Sequence, residues 1–216
     1  MNIAEYWPPF ALHLSSGDME LSPVRDSDLP ELATIAGGGV RRDGVQAFLV
    51  DWDSGNDAEI TRSLAQYHWN TRATLTVESW TIEFAVRVGG EVIGVQGVSA
   101  QQFPLTRTVS TGSWLSKDKQ GQGFGTRMRS LVVGAFIREF GTRRFDTGYV
   151  EGNLASRRVS EKIGYSPNGT RSIVAQNGTA STENLMVLFS EDYPYSMDDI
   201  DVSGAEEVRA FLGLTD

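Results

Sequence analysis

Three glycines in five positions, Gly121, Gly123 and Gly125, stand between Gln120 and Thr126, after a strand-like run and ahead of a helix-like one. The heptapeptide is Gln120-Gly121-Gln122-Gly123-Phe124-Gly125-Thr126. Such a turn lets bare amide N–H groups approach an anion, and the following helix adds the positive end of its dipole. The chemistry on offer is a cradle for a diphosphate; a turn that only turns fits the same residues. A Walker loop would end in Gly-Lys-Ser/Thr, but Gly125 is followed by Thr126 and Arg127. The dinucleotide fingerprint Gly-x-Gly-x-x-Gly is not matched either, because the third glycine comes one residue early. Lys117, Lys119, Arg127 and Arg129 bracket the loop, enough cations to match a diphosphate and a ribose phosphate, although each alone reads as plain surface. With no cysteine and only His13 and His68, thiolate chemistry is excluded and a histidine zinc site is not expected.

The context of the loop narrows these readings. Gln120-x-x-Gly123-x-Gly125 matches the coenzyme A loop Gln/Arg-x-x-Gly-x-Gly/Ala of the GNAT N-acetyltransferases. Upstream stands Thr111-Gly112-Ser113-Trp114-Leu115; downstream, Asn153-Leu154-Ala155-Ser156 leads through Ser160 to Gly164-Tyr165. Together these segments resemble the RimJ/RimL-like branch of that family, specifically over about residues 110–165 and by order of elements over about 10–190. The resemblance implies an acyl-CoA-dependent N-acyltransferase, with acetyl-CoA as default donor and no metal. Another acyl-CoA such as succinyl-CoA is a second option, and it would require a cation in the acyl pocket. The implied acceptor is a primary amine of a protein N-terminus, a lysine or a small molecule, and the implied assembly is a homodimer. Coenzyme contacts implied by the family are Trp114, Leu115, Ser116, Gln120, Gly121, Gln122, Gly123, Phe124, Gly125, Thr126, Asn153 and Ser156. The backbone N–H near Leu115 is the implied oxyanion donor. Seven residues past Asn153, where many members carry a tyrosine as acid for the departing thiolate, stands Ser160, and the same role is expected of it. An N-cap for Asn153 and a backbone-bonded hydroxyl for Ser160 are the structural alternatives. Two residues depart from the pattern: Ser110 replaces a glutamate and Ser113 a tyrosine, so the general base is unassigned among Glu83, Asp51 and Asp53. That gap also admits an acyl-CoA-binding regulatory module without turnover. A nucleotide-binding protein is the remaining reading.

The positioning elements follow from periodicity. Phe10–Leu14 and Met19–Val24 read as strands joined through Ser15-Ser16-Gly17-Asp18. Asp28 and Glu31 form a capping-box pattern that opens a helix over Leu29–Ala36. Residues 40–56 lack periodicity, and helical spacing resumes at Asp57 with Ile60, Leu64 and Tyr67 on one side. Phe48, Trp52, His68 and Trp69 are candidates to line the acceptor side. Trp80–Val88 and Glu91–Ser99 flank Gly89-Gly90 as a hairpin. Arg107–Ser116 enters the glycine loop, Phe124–Phe140 is a long helix, Arg144–Val150 a strand, and Arg171–Gln176 with Asn184–Phe189 a closing hairpin. In the helix after Asn153, Ala155, Val159 and Ile163 form the apolar face, bordered by the stripe Asn153, Ser156 and Ser160. The fold expected is α/β (α+β): one domain with a mixed, mostly antiparallel sheet and helices on both faces. The resemblance adds a splayed parallel strand pair at 107–116 and 144–150, with the pantetheine arm between them.

A chain of 216 residues with 40% hydrophobic content suits a single core. The expected division is a domain over 1–195 and an acidic tail over 196–216 with a short helix at Ala205–Leu212. Net charge is −9, but from Glu191 onward there are eight acids and one base, leaving about −2 for residues 1–190. No clustered basic face marks a nucleic-acid surface, no apolar run reaches bilayer length, and the N-terminus has no basic signal-peptide region. A cytoplasmic setting, with no nucleic acid and no membrane, is the expectation.

Overall fold

The computed structural model describes residues 2–214. Its strands are β1 (His13–Ser16), β2 (Met19–Pro23), β3 (Ser79–Val88), β4 (Glu91–Gln101), β5 (Thr108–Leu115), β6 (Arg144–Val150), β7 (Ser166–Val174), β8 (Ala180–Phe189) and β9 (Asp201–Ser203). The α-helices are α1 (Leu29–Gly38), α2 (Asp57–Ala73), α3 (Phe103–Thr106), α4 (Phe124–Phe140), α5 (Leu154–Ile163) and α6 (Ala205–Phe211). One sheet runs in the order β7-β8-β6-β5-β4-β3-β2-β1-β9, and β5 with β6 is its parallel pair.

Alternation along the strands assigns the two faces of the sheet. Trp80, Ile82, Phe84 and Val86 of β3 join the larger core with Phe136 and Phe140 of α4, Ile163 of α5 and Val208 of α6. Ala85 and Val95 point the other way, to Leu32 and Ala36 of α1 and Ile60 and Leu64 of α2. Helix α2 buries Ile60, Leu64 and His68, four residues apart each time, as an amphipathic helix must.

The feature that positions a site is a fork. Strands β5 and β6 pair only at Thr108–Arg144, Val109–Phe145 and Ser110–Asp146, and then diverge. Beyond that point β5 stays paired to β4 as far as Leu115, and β6 to β8 as far as Val150. Each arm of the fork is therefore held by its outer neighbour, and beyond the last pair the inner edges are linked through side chains, with the Thr147 hydroxyl donating to the Thr111 carbonyl at 2.9 Å.

Several expected boundaries move for identifiable reasons. The first strand begins at His13, because Pro8 and Pro9 start a 3₁₀ turn over Pro8–Ala11. Asp28 does not cap α1 through Glu31; its carboxylate accepts from the Arg25 N–H at 2.8 Å and pairs with Arg87 at 2.7 Å. Strand β5 starts at Thr108, since α3 takes up Phe103–Thr106. The closing hairpin is longer than expected, with Ala175, Asn177 and Gly178 in its turn.

The acidic C-terminal segment is woven into the fold. Strand β9 extends the sheet by pairing with β1, and Ala205, Val208, Leu212 and Leu214 belong to the larger core. Trp7 meets Phe211 edge-on at 5.6 Å. Apolar residues every three to four positions override the net charge around them. Leu212→Ala should cost about 2–5 kcal/mol, read as a lowered midpoint in denaturant unfolding. Among the described residues no helix is long and apolar enough to cross a membrane.

Candidate active site

The glycine loop follows β5 after a short 3₁₀ turn over Lys117–Lys119. Gly121 and Gly123 have φ of +81° and +90°, a region that a side chain adopts only with strain. A Cβ added at Gly123 would meet nothing within 4 Å, so the concave side of the turn is open. The N–H groups of Gly121, Gln122, Gly123, Phe124 and Gly125 have no acceptor among the described residues; the first satisfied amide is Thr126, bonded to the Gly123 carbonyl at 3.1 Å. Five consecutive amides without an acceptor at the start of a 17-residue helix are the kind of donor set that anions bind in other proteins.

Side chains brace this loop from behind. The Gln120 amide donates to the carbonyls of Val40 (2.9 Å) and Leu115 (3.0 Å), tying the loop to the end of β5 and to the segment after α1. Gln122 donates to the Asp118 carbonyl at 2.6 Å, and the Ser116 hydroxyl to the Asp118 carboxylate at 2.5 Å, which holds that carboxyl below its usual range. Gly125 serves helix packing instead. A Cβ there would press on Val159 at 3.2 Å, so its absence lets α4 approach α5. The bracketing cations are otherwise engaged. Lys117 pairs with Asp43, Lys119 with Glu91 and Arg127 with Asp18. These are surface pairs, worth little and readily redirected to a ligand phosphate. Arg42, which the sequence did not mark, lies over Gly121, where a Cβ would come within 3.2 Å of its guanidinium.

On the α1/α2 face of the fork, β3, β4 and β5 place Glu83, Gly97 and Gly112 in one row. The Glu83 carboxylate lies across Gly97, where any Cβ would sit 2.6 Å from Oε1, while the space over Gly112 is empty. Tyr67 of α2 donates its hydroxyl to Glu83 at 2.6 Å, and no cation pairs with this carboxylate among the described residues. Burial pushes the Glu83 carboxyl up to about 7, with the Tyr67 hydrogen bond opposing in part. Across the fork, Glu183 of β8 lies over Gly148 of β6, but Arg171 pairs with it.

A strap closes this face. In the loop between α1 and α2, Arg41 pairs with Asp53 at 3.0 Å, and the Gln176 amide beyond β7 donates to Asp51 at 2.8 Å and also to Asp53. Hydrogen bonds from Ser54 and Gln176 hold the Asp51 carboxyl below its usual range. Phe48 packs on Trp52 at 5.1 Å, and Trp52 on Trp114 of β5 at 5.5 Å.

The chain that carries these features has counterparts among known proteins. A family profile describing an acetyltransferase (GNAT) domain matches residues 18–166. The chain belongs to the GNAT acetyltransferase family. Solved structures carry the same fold. RimL, described as a ribosomal L7/L12 alpha-N-protein acetyltransferase in complex with coenzyme A, is 19% identical, with 81% of this chain and 95% of that one covered and a TM-score of 0.65. RimJ of Mycobacterium smegmatis, in complex with CoA-disulfide, is 18% identical over 93% of this chain and 92% of its own, with a TM-score of 0.67. A Salmonella typhimurium acetyltransferase, described as modifying the N-terminal serine of L7/L12, is 17% identical over 81% and 96%, with a TM-score of 0.64.

Within this GNAT domain the structure positions the other sequence candidates unequally. Asn153 caps α5, its Oδ1 accepting from the Ser156 N–H at 3.2 Å. Ser160 is 0% exposed, and its hydroxyl donates to the Ser156 carbonyl at 3.2 Å. The inward side of α5 carries Ser156, Val159, Ser160 and Ile163, whereas Ala155 is exposed, because Val159 docks at Gly125 and turns the helix. The Trp114 side chain faces the strap and not the loop. Phe48 and Trp52 reach Trp114 on the fork's α1/α2 face, His68 borders a cavity that Glu83 also lines, and Trp69 is exposed on α2. Trp69 bonds Asp26 at 3.1 Å, and burial pushes the His68 imidazole down to about 4, keeping it neutral. The sequence marked Tyr67 only as part of a helix face and did not mark Glu183; the hydrogen bond to Glu83 and the position over Gly148 reveal their roles. Among the described residues no cluster of His, Asp and Glu fit to hold a metal is found.

Proposed function

We propose that this GNAT protein transfers an acyl group from acyl-CoA directly to a primary amine, with a protein N-terminus or lysine as the acceptor class. The observation that carries this reading is the run of five unsatisfied amides at the start of α4, set at the open end of the β5/β6 fork. The amides of Gly121–Gly125, with Gly123 as N-cap, would hold the coenzyme's diphosphate, and Arg42 is placed to add a cation. The thioester arm would then lie between the inner edges of β5 and β6. The solved neighbours named for ribosomal proteins support a protein amine as acceptor.

The roles divide as follows. Glu83 takes the ammonium proton as the base, helped by its elevated proton affinity and held by Tyr67. The free amine forms a bond to the thioester carbonyl carbon, the carbon–sulfur bond breaks, and the coenzyme leaves as a thiolate that takes up a proton. The N–H of Leu115 at the end of β5 is the oxyanion donor. Glu83 would supply the carboxylate missing at Ser110, which weighs against a binding module without turnover. Ser160 would release its bond to Ser156 to protonate the thiolate, while Asn153 holds the start of α5.

Isothermal calorimetry with acetyl-CoA, coupled to thiol release with a panel of peptide amines, tests the reading. Micromolar coenzyme affinity with amine-dependent thiol release is expected; no binding of any coenzyme A species would refute it. Ser160→Ala should lower kcat roughly tenfold or more while changing the coenzyme Kd little. An unaltered kcat would leave Ser160 as a packing residue.

A further inference from the structure

Glu83 borders a second space besides the cleft, a cavity of about 20 Å³ with room for one water. His68 and Thr71 of α2, Thr81 of β3, Phe10 and Arg72 share its walls. His68 is 3% exposed, and neither ring nitrogen has a hydrogen-bond partner among the described residues; the bonds from Thr71 and Arg72 go to its backbone carbonyl. A buried imidazole left without a partner costs free energy unless something at the site serves it. The charged and titratable groups around it are Arg72 on its own helix, Asp28 before α1, Tyr67 edge-on at 5.4 Å and Glu83 across the cavity, and none of them bonds the ring. Thr81 stands two residues before Glu83, so both side chains leave the same face of β3, about 7 Å apart along the strand. Its hydroxyl also lacks a partner among the described residues.

Stoichiometry gives this cavity a task. When an ammonium is acylated by a thioester, one of its three hydrogens stays on the amide, one ends on the coenzyme thiol, and the third goes to solvent. Glu83 takes that proton, and acceptor and coenzyme would then cover its cleft side. We infer that His68 and a water in this cavity carry the proton from Glu83 to solvent, by a route separate from the substrate cleft. This inference rests on the acyltransferase reading above and adds the proton's exit to it. The Glu83 O–H bond breaks as the water takes the proton. The water gives one of its own hydrogens to the bare nitrogen of His68, and the opposite nitrogen releases its hydrogen outwards. A neutral imidazole carries one bare nitrogen and one N–H, so it passes a proton without storing a charge, and burial favours that form here. Arg72 gives the route an outer end, since it lines the same cavity and pairs at the surface with Asp26 at 2.5 Å. His68 touches no reactant and acts only through Glu83.

His68→Phe keeps a ring in place and removes both nitrogens. It should lower kcat roughly tenfold in thiol release with a peptide amine, while the acetyl-CoA Kd stays near that of wild type. His68→Ala should regain rate with added imidazole but not with N-methylimidazole, which fills the space without an N–H. Circular dichroism is recorded for each variant. An unchanged kcat in His68→Phe, or recovery of His68→Ala with both compounds or with neither, would overturn the relay and leave the acyltransferase reading standing. If neither His68 variant folds, Thr81→Val decides: a several-fold lower kcat is expected, and an unchanged one overturns the relay. A wild-type chain that transfers no acyl group to any amine would overturn that reading and this one together.

Discussion

Gly123→Asp is expected to weaken acyl-CoA binding at least about 100-fold while the chain remains folded. The carboxylate would stand among the free amides and occupy the site proposed for the ligand's diphosphate, and repulsion in a partly desolvated site adds to the loss. The φ of +90° at this residue adds a second, smaller penalty of about 1 kcal/mol. Asparagine at the same position separates the two terms, because it tolerates a left-handed backbone and carries no charge. Calorimetry with acetyl-CoA and succinyl-CoA reads the affinity, and circular dichroism checks the fold. Affinity unchanged in the aspartate variant would remove the loop from the site.

Glu83→Gln should reduce kcat/KM by about 100-fold or more and erase the ascending limb of the pH profile. Burial raises this carboxyl from near 4.5 to about 7 in the folded chain, so the base becomes available only as pH rises through about 7. Stability runs the other way. A raised folded value means that the fold prefers the protonated form. That contribution is complete below about 4.5, is lost as pH climbs through about 7, and costs stability above it. Glutamine retains a partner for the Tyr67 hydroxyl at 2.6 Å and removes the charge. The variant should therefore be less active than wild type at pH 8, yet more resistant to unfolding there. Wild-type rates independent of pH between 6 and 8, a window set around the value of about 7, would exclude Glu83 as the base.

These two residues mark the limits of what a linear reading provides. The glycine loop announces itself locally, because Gly121, Gly123 and Gly125 at that spacing, between a strand pattern and a helix pattern, leave few conformations, and its family motif is read within a few residues. The helix after Asn153 and the hairpin around Gly89-Gly90 are legible for the same reason, since turn and cap signals act within a few residues. Glu83 is visible only as one of three unranked acids. What sets it apart is Gly97 across the ladder, which leaves it room, and Tyr67 on a helix sixteen residues earlier, which holds it.

The sequence by itself carries the family resemblance, which brings the splayed pair with it, the mixed sheet with helices on both faces, and the glycine loop with the spacing of an anion cradle. Only the tertiary structure decides that Arg129 leaves the loop's surface to span the fork, that Asp51 and Asp53 serve a strap to Gln176, and that the acidic segment around α6 seals the core. The physical reason is common to all three. A charge is written in the sequence, but its partner, its desolvation and its distance from a strand edge are set by residues tens of positions away.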